Sequence, residues 1–529
     1  MTKPEFPRQP DAPRSPAVPV TLAGLVAHRA SASPDALLIA DDGDRGLTAL
    51  EFQQESAQVA ANLEKLNVSP GQLVSWIMPT GIDALLIMVG LSAVGAVQNP
   101  IIPMYGKREI GHIFREASVD AVVSVKSHRG TDYERLIEEI IGPGSERPRV
   151  LDVDRVLGSP PILVDDGERE TSSSVAASGA QWVFYTSGST GLPKGVLHTD
   201  RTLYAVAHAM ADRLKMTSSD RSGIAFPIAH IGGPINLMAA LISGSALILL
   251  EKFEPQEACD VLARHGVTMA GSGTAFHLGY LDVQGERPDV PLFPMLRCCP
   301  GGGAPKPSGL HERVKNALGG AGIVSGWGLT EAPVLTMGSP DDPDLELSET
   351  EGQALEGVHL KVTAADGSEA LPGEPGELRA KADQMMLGYV DVELDHEAFD
   401  NEGYLRTGDL GTVDSSGYVR ITGRLKDVVI RNGENVSTAE VEILLRAMDA
   451  IADAAVIGLP DDHTGERVCA VLELAPGASS LDVGAVSARL SERGLRRIAW
   501  PEQVECVPSL PRTPAGKIDK TELVEMFSS

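Results

Sequence analysis

Residues 185–195 read YTSGSTGLPKG, a loop that combines four serine and threonine side chains and one lysine with three glycines. Backbone N–H groups, hydroxyls and an ammonium together suit a polyphosphate. A Walker A loop places its lysine at the start of a helix, but Lys194 is flanked by proline and glycine, which disfavour a helix interior. The flanks, 181–186 and 195–198, are strand-like, so the segment predicts strand–loop–strand. A surface hairpin without a ligand is the alternative.

The totals describe a folded, acidic protein of more than one domain. The chain has 529 residues, 43% of them apolar, and a net charge of −28. This length exceeds one ordinary core, and the acidity opposes binding to nucleic acid or anionic lipid. Five cysteines without C-x-x-C spacing indicate neither a disulfide framework nor a zinc site.

Residues 1–19 are rich in proline and lack the apolar segment of a signal peptide, so they predict a flexible tail. The most apolar run, 84–97, is shorter than the about 18–20 residues of a membrane span. We therefore expect a buried helix there, no membrane insertion and a cytoplasmic protein.

Residues 20–340 alternate helical patterns with short apolar runs, which predicts layered α/β subdomains with parallel sheets. The predicted helices cover 47–66 and 82–97, and a further helix begins at Thr199 or Asp200. The predicted strands are 72–78, 119–125, 222–228, 245–250 and 267–271.

From 350 to 424 short strands are separated by turns such as Ala365-Asp366-Gly367, which predicts an antiparallel meander or small β-barrel. The acidic run 341–351 is interpreted as a solvated loop. After residue 424 the pattern returns to mixed α and β, with a helix at 438–448 and strands near 454–458 and 467–474. The predicted organisation is an N-terminal domain over 20–424, its β-rich part at 350–424, and a small α+β domain over 427–529.

Four further segments accompany the loop in order: 326–331 (GWGLTE), 404–409 (YLRTGD), 423–427 (GRLKD) and 511–517 (PRTPAGK). With these five segments the chain resembles the adenylate-forming superfamily of acyl-CoA synthetases, peptide-synthetase adenylation domains and luciferases. The resemblance runs from about residue 20 to 525 and favours the AMP-forming acyl-CoA synthetase branch.

The resemblance implies that the opening loop closes over the β- and γ-phosphates of ATP through Thr186, Ser187, Gly188, Ser189, Thr190, Gly191 and Lys194. Thr330 then contacts the α-phosphate and Glu331 holds Mg²⁺. Lys517 is the implied catalytic cation, since a carboxylate must approach the α-phosphate against charge repulsion.

The nucleoside is implied to lie against a second group of residues. Asp409 accepts from both ribose hydroxyls, and Arg424 contacts ribose and phosphate. The backbone of Gly302, Gly303 and Ala304 passes close to adenine. Trp327 stands where the family usually has tyrosine and is expected to stack on adenine.

A second half-reaction with coenzyme A follows from the same resemblance. The C-terminal domain would rotate about a hinge at 425–426, with Lys426 as the hinge residue, and Gly433 would line the pantetheine tunnel. The chain departs from the common pattern at Thr438, where proline is frequent, and at Asp200, where histidine is common.

The segment 226–233 resembles the border of the family's acyl pocket, with His230 as its gate. The predicted pocket residues are His230, Ile231, Gly232, Gly233 and Gly326, the glycines leaving space for substrate. No Asp or Glu lies between 224 and 236, so an amino-acid substrate, whose ammonium would be unpaired, is disfavoured. A medium-chain, alicyclic or aryl acid is expected, and segment 271–276 resembles cyclohexanecarboxylate CoA ligases.

The sequence therefore predicts an ATP-dependent carboxylic acid:CoA ligase that forms an acyl-adenylate. Since the chain ends soon after Lys517, we expect no fused carrier domain and free CoA as acceptor. The alternatives are a ligase that loads a separate carrier protein and a degenerate nucleotide-binding module. A homodimer is left open.

Overall fold

The computed structural model describes residues 20–528 except 44, 143–147, 159–174, 176–177, 188–191, 272, 304–305, 426–427, 432–433, 462–463, 494, 496 and 514–516. The side chains at 187, 428, 430, 434, 435 and 465 are also outside the description. The predicted tail at 1–19 and the hinge residue Lys426 thus lie outside the described residues.

The helices of the described residues alternate with strands through most of the chain. They are α1 Leu22–Ala32, α2 Ala49–Lys65, α3 Ile82–Val94, α4 Lys107–Glu116, α5 Tyr133–Ile141, α6 Val153–Leu157, α7 Asp200–Arg213, α8 Gly232–Ser243, α9 Pro255–Arg264, α10 Thr274–Glu286, α11 Leu310–Leu318, α12 Asp344–Glu349, α13 Asp395–Ala398, α14 Thr438–Arg446, α15 Val483–Glu492 and α16 Lys520–Phe527.

The strands up to residue 302 are β1 Leu37–Asp41, β2 Gly46–Thr48, β3 Leu73–Ile77, β4 Val97–Pro100, β5 Ala121–Ser124, β6 Ser127–His128, β7 Thr131–Asp132, β8 Arg149–Asp152, β9 Trp182–Ser187, β10 Pro193–His198, β11 Arg221–Ile224, β12 Ala246–Leu249, β13 Met269–Ala270 and β14 Cys299–Gly302. Those that follow are β15 Ile323–Leu329, β16 Ala332–Met337, β17 Gln353–Ala354, β18 Val358–Thr363, β19 Gly376–Ala382, β20 Gly388–Tyr389, β21 Leu405–Val413, β22 Val419–Arg424, β23 Val428–Arg431, β24 Glu434–Ser437, β25 Ile451–Asp461, β26 Gly465–Leu474 and β27 Gln503–Val507.

Two mainly parallel sheets form the first part of the chain, as the alternating pattern predicts. One has the order β13-β11-β12-β1-β2 and the other β20-β10-β9-β4-β3-β5-β8. Strand β3 is buried at every position, which is typical of a parallel strand covered on both faces. Helix α3 is buried nearly all round and ends at Gly95, whose φ is +78°. None of the described helices is both long and apolar enough to cross a membrane.

The two strands predicted on either side of the opening loop are present, and residues 188–191 between them lie outside the described residues. Strands β9 and β10 pair antiparallel, with Lys194 opposite Thr186. Glycine is required at position 195, because a Cβ there would lie 2.7 Å from Val390 Cγ2 and 3.0 Å from the Tyr185 ring. Helix α7 follows directly and is capped by the Thr199 side chain.

A third sheet, β14-β15-β16-β17, lies between the parallel sheets and the β-rich part. The β-rich part is a four-stranded antiparallel sheet in the order β18-β19-β21-β22. Of the two predicted forms, a meander and a small β-barrel, this is the meander. The acidic run was predicted wrongly as a loop. It contains α12, whose Leu347 side chain is buried in the main core.

The final sheet has the order β24-β23-β26-β25, and β27 pairs parallel with β26. Helix α14 packs on β25, and the core includes Val441, Leu445, Val456 and Val468. The mixed α and β elements predicted after residue 424 are therefore present.

One buried carboxylate links the β9–β10 hairpin to helix α1. Asp200 Oδ1 accepts from Trp182 Nε1 at 2.7 Å, and its Oδ2 accepts from the backbone N–H of Leu22 at 2.9 Å. Burial raises the pKa of Asp200. Asp200 therefore ties β9, α7 and α1 together.

We expect Trp182→Phe to lower the free energy of unfolding by about 1–3 kcal/mol, because the buried carboxylate of Asp200 loses one hydrogen-bond donor. Denaturant unfolding at pH 7.5 measures the effect. Trp500→Phe removes an indole donor from a half-buried backbone contact instead and serves as the control. A change below about 0.5 kcal/mol in Trp182→Phe would contradict this role.

Candidate active site

Thr330 and Glu331 form the two-residue connection between β15 and β16, in which Leu329 pairs with Ala332. Two long-range backbone contacts hold this turn in place. His198 Nε2 donates to the Thr330 carbonyl at 2.8 Å, and Met386 N donates to the Glu331 carbonyl at 2.8 Å. The turn is therefore fixed against the end of β10 and the segment before β20.

The Glu331 side chain is oriented by a tyrosine. Tyr389 Oη donates to Glu331 Oε1 at 2.7 Å, and burial together with this carboxylate raises the pKa of Tyr389. Lys194 Nζ lies 5.8 Å from the centre of the Tyr389 ring, within the range of a cation–π contact. Tyr389 therefore contacts both Lys194 of β10 and Glu331 of the turn.

His198 is a neutral, fully buried histidine. Burial lowers its pKa to about 4, against a smaller opposite effect of the Thr330 carbonyl. Its other ring nitrogen, Nδ1, lies 3.0 Å from Thr202 Oγ1. Since the carbonyl needs a donor, Nε2 carries the proton.

Asp409 is buried, with only 2% of its surface exposed, and both of its oxygens are engaged. Oδ2 accepts from Trp327 Nε1 at 2.8 Å, and Oδ1 lies 2.6 Å from Arg424 Nε. Asp409 and Arg424 are directly opposite each other on β21 and β22. The sheet register thus brings this acid and base together.

Lys517 reaches the same centre from the C-terminal domain. Its side chain is exposed to solvent. Loss of hydration and the nearby Arg424 lower the pKa of Lys517, whereas Asp409 and Glu331 act in the opposite direction. Two acids and two bases predicted from separate segments are therefore neighbours.

The loop that carries Lys517 is anchored to its own domain. Thr513 N donates to the Lys517 carbonyl at 2.7 Å, and Arg512 forms an ion pair with Asp453 at 2.6 Å. Arg446 holds the other oxygen of Asp453 at 2.8 Å. The described residues on both sides of 514–516 are therefore held together and to the small domain.

His230 lies near enough to Lys517 to be affected by its charge. Solvent reaches its ring, but the surrounding protein and the Lys517 charge lower its pKa to about 4. The backbone N–H of Gly232 donates to Nδ1 at 3.2 Å, so the ring is neutral with its proton on Nε2. A small cavity beside it is lined by Pro100, Ile102, Tyr105, Phe184, Tyr185, Ala229, His230, Ile231 and Thr330.

The glycines predicted to leave space for substrate have a different structural reason. A Cβ on Gly233 would lie 1.9 Å from the Ile228 carbonyl oxygen, and one on Gly326 would lie 2.8 Å from the Thr336 carbonyl oxygen. Both positions are filled by the protein's own backbone. Gly232 is less constrained, since a Cβ there would lie 3.1 Å from the Phe226 ring.

The predicted nucleotide loop begins with two glycines whose positive φ angles favour glycine over other residues. Gly302 has φ of +155° and Gly303 of +76°, and a Cβ on Gly302 would lie 2.6 Å from the Gly326 carbonyl oxygen. Several predicted site residues lie outside the described residues: Gly188, Ser189, Thr190, Gly191, Ala304 and Gly433. Thr186 is described on β9, as is the backbone of Ser187.

Sequence reasoning did not identify His198 or Tyr389. Both act through contacts that are distant in sequence, 132 residues for His198 with Thr330 and 58 residues for Tyr389 with Glu331. A signal for Tyr389 is its place after Gly388, whose φ of +146° favours glycine. For His198 the only signal in the sequence is a histidine at the end of an apolar strand.

Two family models match this chain. The AMP-binding enzyme model covers residues 26–390, and the AMP-binding enzyme C-terminal domain model covers 440–517. The chain belongs to the AMP-binding enzyme family. The predicted resemblance and fold class are confirmed.

Curated relatives of this AMP-binding enzyme span almost its whole length. The "3-[(3aS,4S,7aS)-7a-methyl-1,5-dioxo-octahydro-1H-inden-4-yl]propanoyl:CoA ligase" of Rhodococcus jostii is 31% identical and covers 92% of this chain and 94% of its own. The medium-chain fatty-acid–CoA ligase of Escherichia coli is 28% identical, with 94% of this chain and 89% of the relative covered. The salicyl-AMP ligase / salicyl-S-ArCP synthetase of Mycobacterium tuberculosis is 28% identical, with 96% of this chain and 91% of the relative covered.

Among solved structures, ATP-bound MatB from Rhodopseudomonas palustris has a TM-score of 0.81 and 25% identity, with 96% of this chain and 99% of that chain covered. The family and the ligases among its relatives confirm the prediction of an AMP-forming acid–thiol ligase that uses ATP, Mg²⁺ and CoA.

We expect His198 to make folding stability dependent on pH. Because its folded pKa of about 4 is below the unfolded value of about 6.5, the unfolded chain takes up a proton first as pH falls. Stability from this group is present above about pH 7 and should decrease by about 2 kcal/mol between pH 8 and pH 5.

The matched variant is His198→Gln, which keeps a donor for the Thr330 carbonyl but does not titrate. The free energy of unfolding at pH 8 and pH 5 is measured for both proteins. Wild type should lose about 2 kcal/mol more than the variant over this interval. Equal losses in the two proteins would show that His198 does not stay neutral in the folded state.

Proposed function

We propose that this enzyme joins an uncharged medium-chain, alicyclic or aryl carboxylic acid to CoA through an acyl-adenylate. The observation that carries the residue assignments is the ion pair of Arg424 with Asp409, together with the electrostatic interaction of Lys517 with Asp409 and Glu331. The substrate range and the residue roles below are proposals that rest on this arrangement.

In the first step the substrate carboxylate attacks the α-phosphorus of ATP, an acyl–phosphate bond forms and the bond to pyrophosphate breaks. Two anions must approach, so cations at the reacting centre lower the barrier. Lys517 supplies this charge between carboxylate and α-phosphate. Lys194 and Thr186 stabilise the pyrophosphate that leaves, and Thr330 contacts the α-phosphate.

Glu331 fits a magnesium site completed by the nucleotide. Tyr389 occupies its Oε1, which leaves Oε2 for a cation. The described residues contain no group of three or more His, Cys, Asp or Glu side chains that could hold a metal. Mg²⁺ commonly binds through one or two carboxylates, waters and substrate phosphates, and when bound it would neutralise phosphate charge.

The acyl group is proposed to be uncharged and apolar beyond its carboxylate. The cavity beside His230 has aromatic and aliphatic walls, and its lining contains no Asp or Glu. Segment 224–236 likewise has no carboxylate to pair with an α-ammonium. Names of relatives include a medium-chain fatty acid and a propanoyl group on a fused-ring system, which supports acids of this kind.

The acceptor is proposed to be free CoA, after rotation of the small domain about Lys426 moves Lys517 away and brings Gly433 toward the thiol. The salicyl-AMP ligase among the relatives bears the name of a synthetase that acts on ArCP, which keeps a carrier protein as the second candidate. The cytoplasmic location and a homodimer stay predictions. Size-exclusion chromatography with light scattering tests the dimer.

A two-part assay tests the proposal. Acid-dependent ATP–pyrophosphate exchange is measured across fatty, alicyclic, aryl and amino acids, and thioester formation is then measured with CoA or with a phosphopantetheinylated carrier protein. We expect exchange with medium-chain, alicyclic or aryl acids and thioester with CoA. Thioester on the carrier alone would favour the second candidate, and no exchange with any acid would favour a degenerate nucleotide-binding module.

We expect Lys517→Ala to lower the rate of adenylation about 100- to 1000-fold, the usual effect of removing one transition-state charge partner. Thioester formation from supplied acyl-adenylate and CoA should stay within about threefold of wild type, since Lys517 acts only in the first step. Exposed Lys381→Ala is the control and should leave both rates unchanged. Equal loss in both half-reactions would contradict a role confined to adenylation.

A further inference from the structure

We propose that Trp327 is a positioning residue for nucleotide binding, and that its indole N–H holds Asp409 in the orientation that accepts the ribose diol. This inference rests on the proposed function, in which Asp409 binds ribose. It assigns Trp327 a role in addition to the expected stacking on adenine. The hydrogen bond from Nε1 to Oδ2 measures 2.8 Å.

The pair is buried on both sides. Trp327 is 7% exposed and Asp409 is 2% exposed, and the indole packs in a cluster with Leu335, Leu378 and Ala380. A hydrogen bond to a charged group in such surroundings is stronger than one at the surface, because water does not compete for it. Loss of the indole donor would leave Asp409 with a weakly restrained carboxylate.

The oxygens of Asp409 have enough capacity for both the protein and the diol. An ionised carboxylate accepts at about four lone-pair positions. Trp327 uses one position on Oδ2 and Arg424 one on Oδ1, so each oxygen keeps one for a ribose hydroxyl. Because the indole N–H only donates, it fixes the carboxylate without competing for the hydroxyl protons.

The two partners of Asp409 differ in how firmly they are held. Arg424 is 54% exposed at its side chain and ends β22, directly before the segment of the predicted hinge. Trp327 lies within β15 of the large domain and is enclosed by other side chains. The indole therefore provides the restraint that stays in place when the small domain moves.

The test compares wild type with W327F, which keeps an aromatic ring but removes the N–H donor. Acid-dependent ATP–pyrophosphate exchange is measured with ATP, 2′-deoxy-ATP and 3′-deoxy-ATP. We expect W327F to lower kcat/KM for ATP about 10- to 100-fold, the effect of one hydrogen bond to a charged group. The rates with the two deoxy nucleotides should fall less, so the preference of wild type for ATP shrinks about tenfold.

A matched control is W182F, which removes an indole donor from the other buried carboxylate pair, Trp182 with Asp200. It should leave the ratio of ATP to deoxy-ATP rates at the wild-type value. Benzothienylalanine incorporated at position 327 replaces the N–H by sulfur at constant ring shape, and it provides the same test if W327F does not fold.

An equal fall with all three nucleotides in W327F would overturn the inference and leave Trp327 a packing or stacking residue. Unchanged kcat/KM for ATP would overturn it as well. If wild type itself does not distinguish ATP from the deoxy nucleotides, the ribose role of Asp409 fails, and this inference fails with it. The proposed function is judged separately, by whether wild type catalyses acid-dependent exchange and forms a thioester with CoA.

Discussion

A carboxylate removed from water needs partners, and Asp409 determines how the site is assembled. Its partners come from two different sheets, Trp327 from β15 and Arg424 from β22. An unpaired buried charge costs several kcal/mol, so the third sheet and the β-rich sheet must meet at this point. The turn of Thr330 and Glu331 and the side chain of Lys517 both lie within electrostatic reach of this site.

The local charge of the site is opposite to that of the whole molecule. The chain carries a net charge of −28, yet its ligands by family are polyanions. Lys194, Arg424 and Lys517 come from the hairpin, the end of the large domain and the small domain. Under the proposed rotation of the small domain, their distribution over three elements would assemble the cationic charge in one arrangement and reduce it in the other. General acidity then disfavours other polyanions at long range.

Sequence patterns predicted the features that depend on local spacing. Alternating apolar runs indicated the parallel sheets, and Pro193 with Gly195 indicated the strand–loop–strand, because both signals lie within a few residues. The resemblance located Glu331, Asp409, Arg424 and Lys517, which the structure brings together. Their individual roles in catalysis stay predictions.

The features missed by the sequence depend on packing between distant segments. Tyr389 and His198 act on the Thr330–Glu331 turn across long separations. The glycines at 233 and 326 were assigned to substrate space, but the backbone of the protein occupies that space. A sequence shows that a side chain is missing without showing what fills the gap. Helix α12 was likewise missed, since its single buried leucine gives no repeated pattern.

The hairpin of β15 and β16 carries the proposed contacts to both ends of the nucleotide. Trp327 lies within β15 and Glu331 four residues later in the turn that ends the strand, and a register shift lies between Trp327 and Leu329. In the proposed binding mode this single hairpin sets the distance between the contact to ribose and the contact to the phosphates. An insertion or deletion within it would change this distance, so that the site would no longer match a nucleoside to its own phosphates.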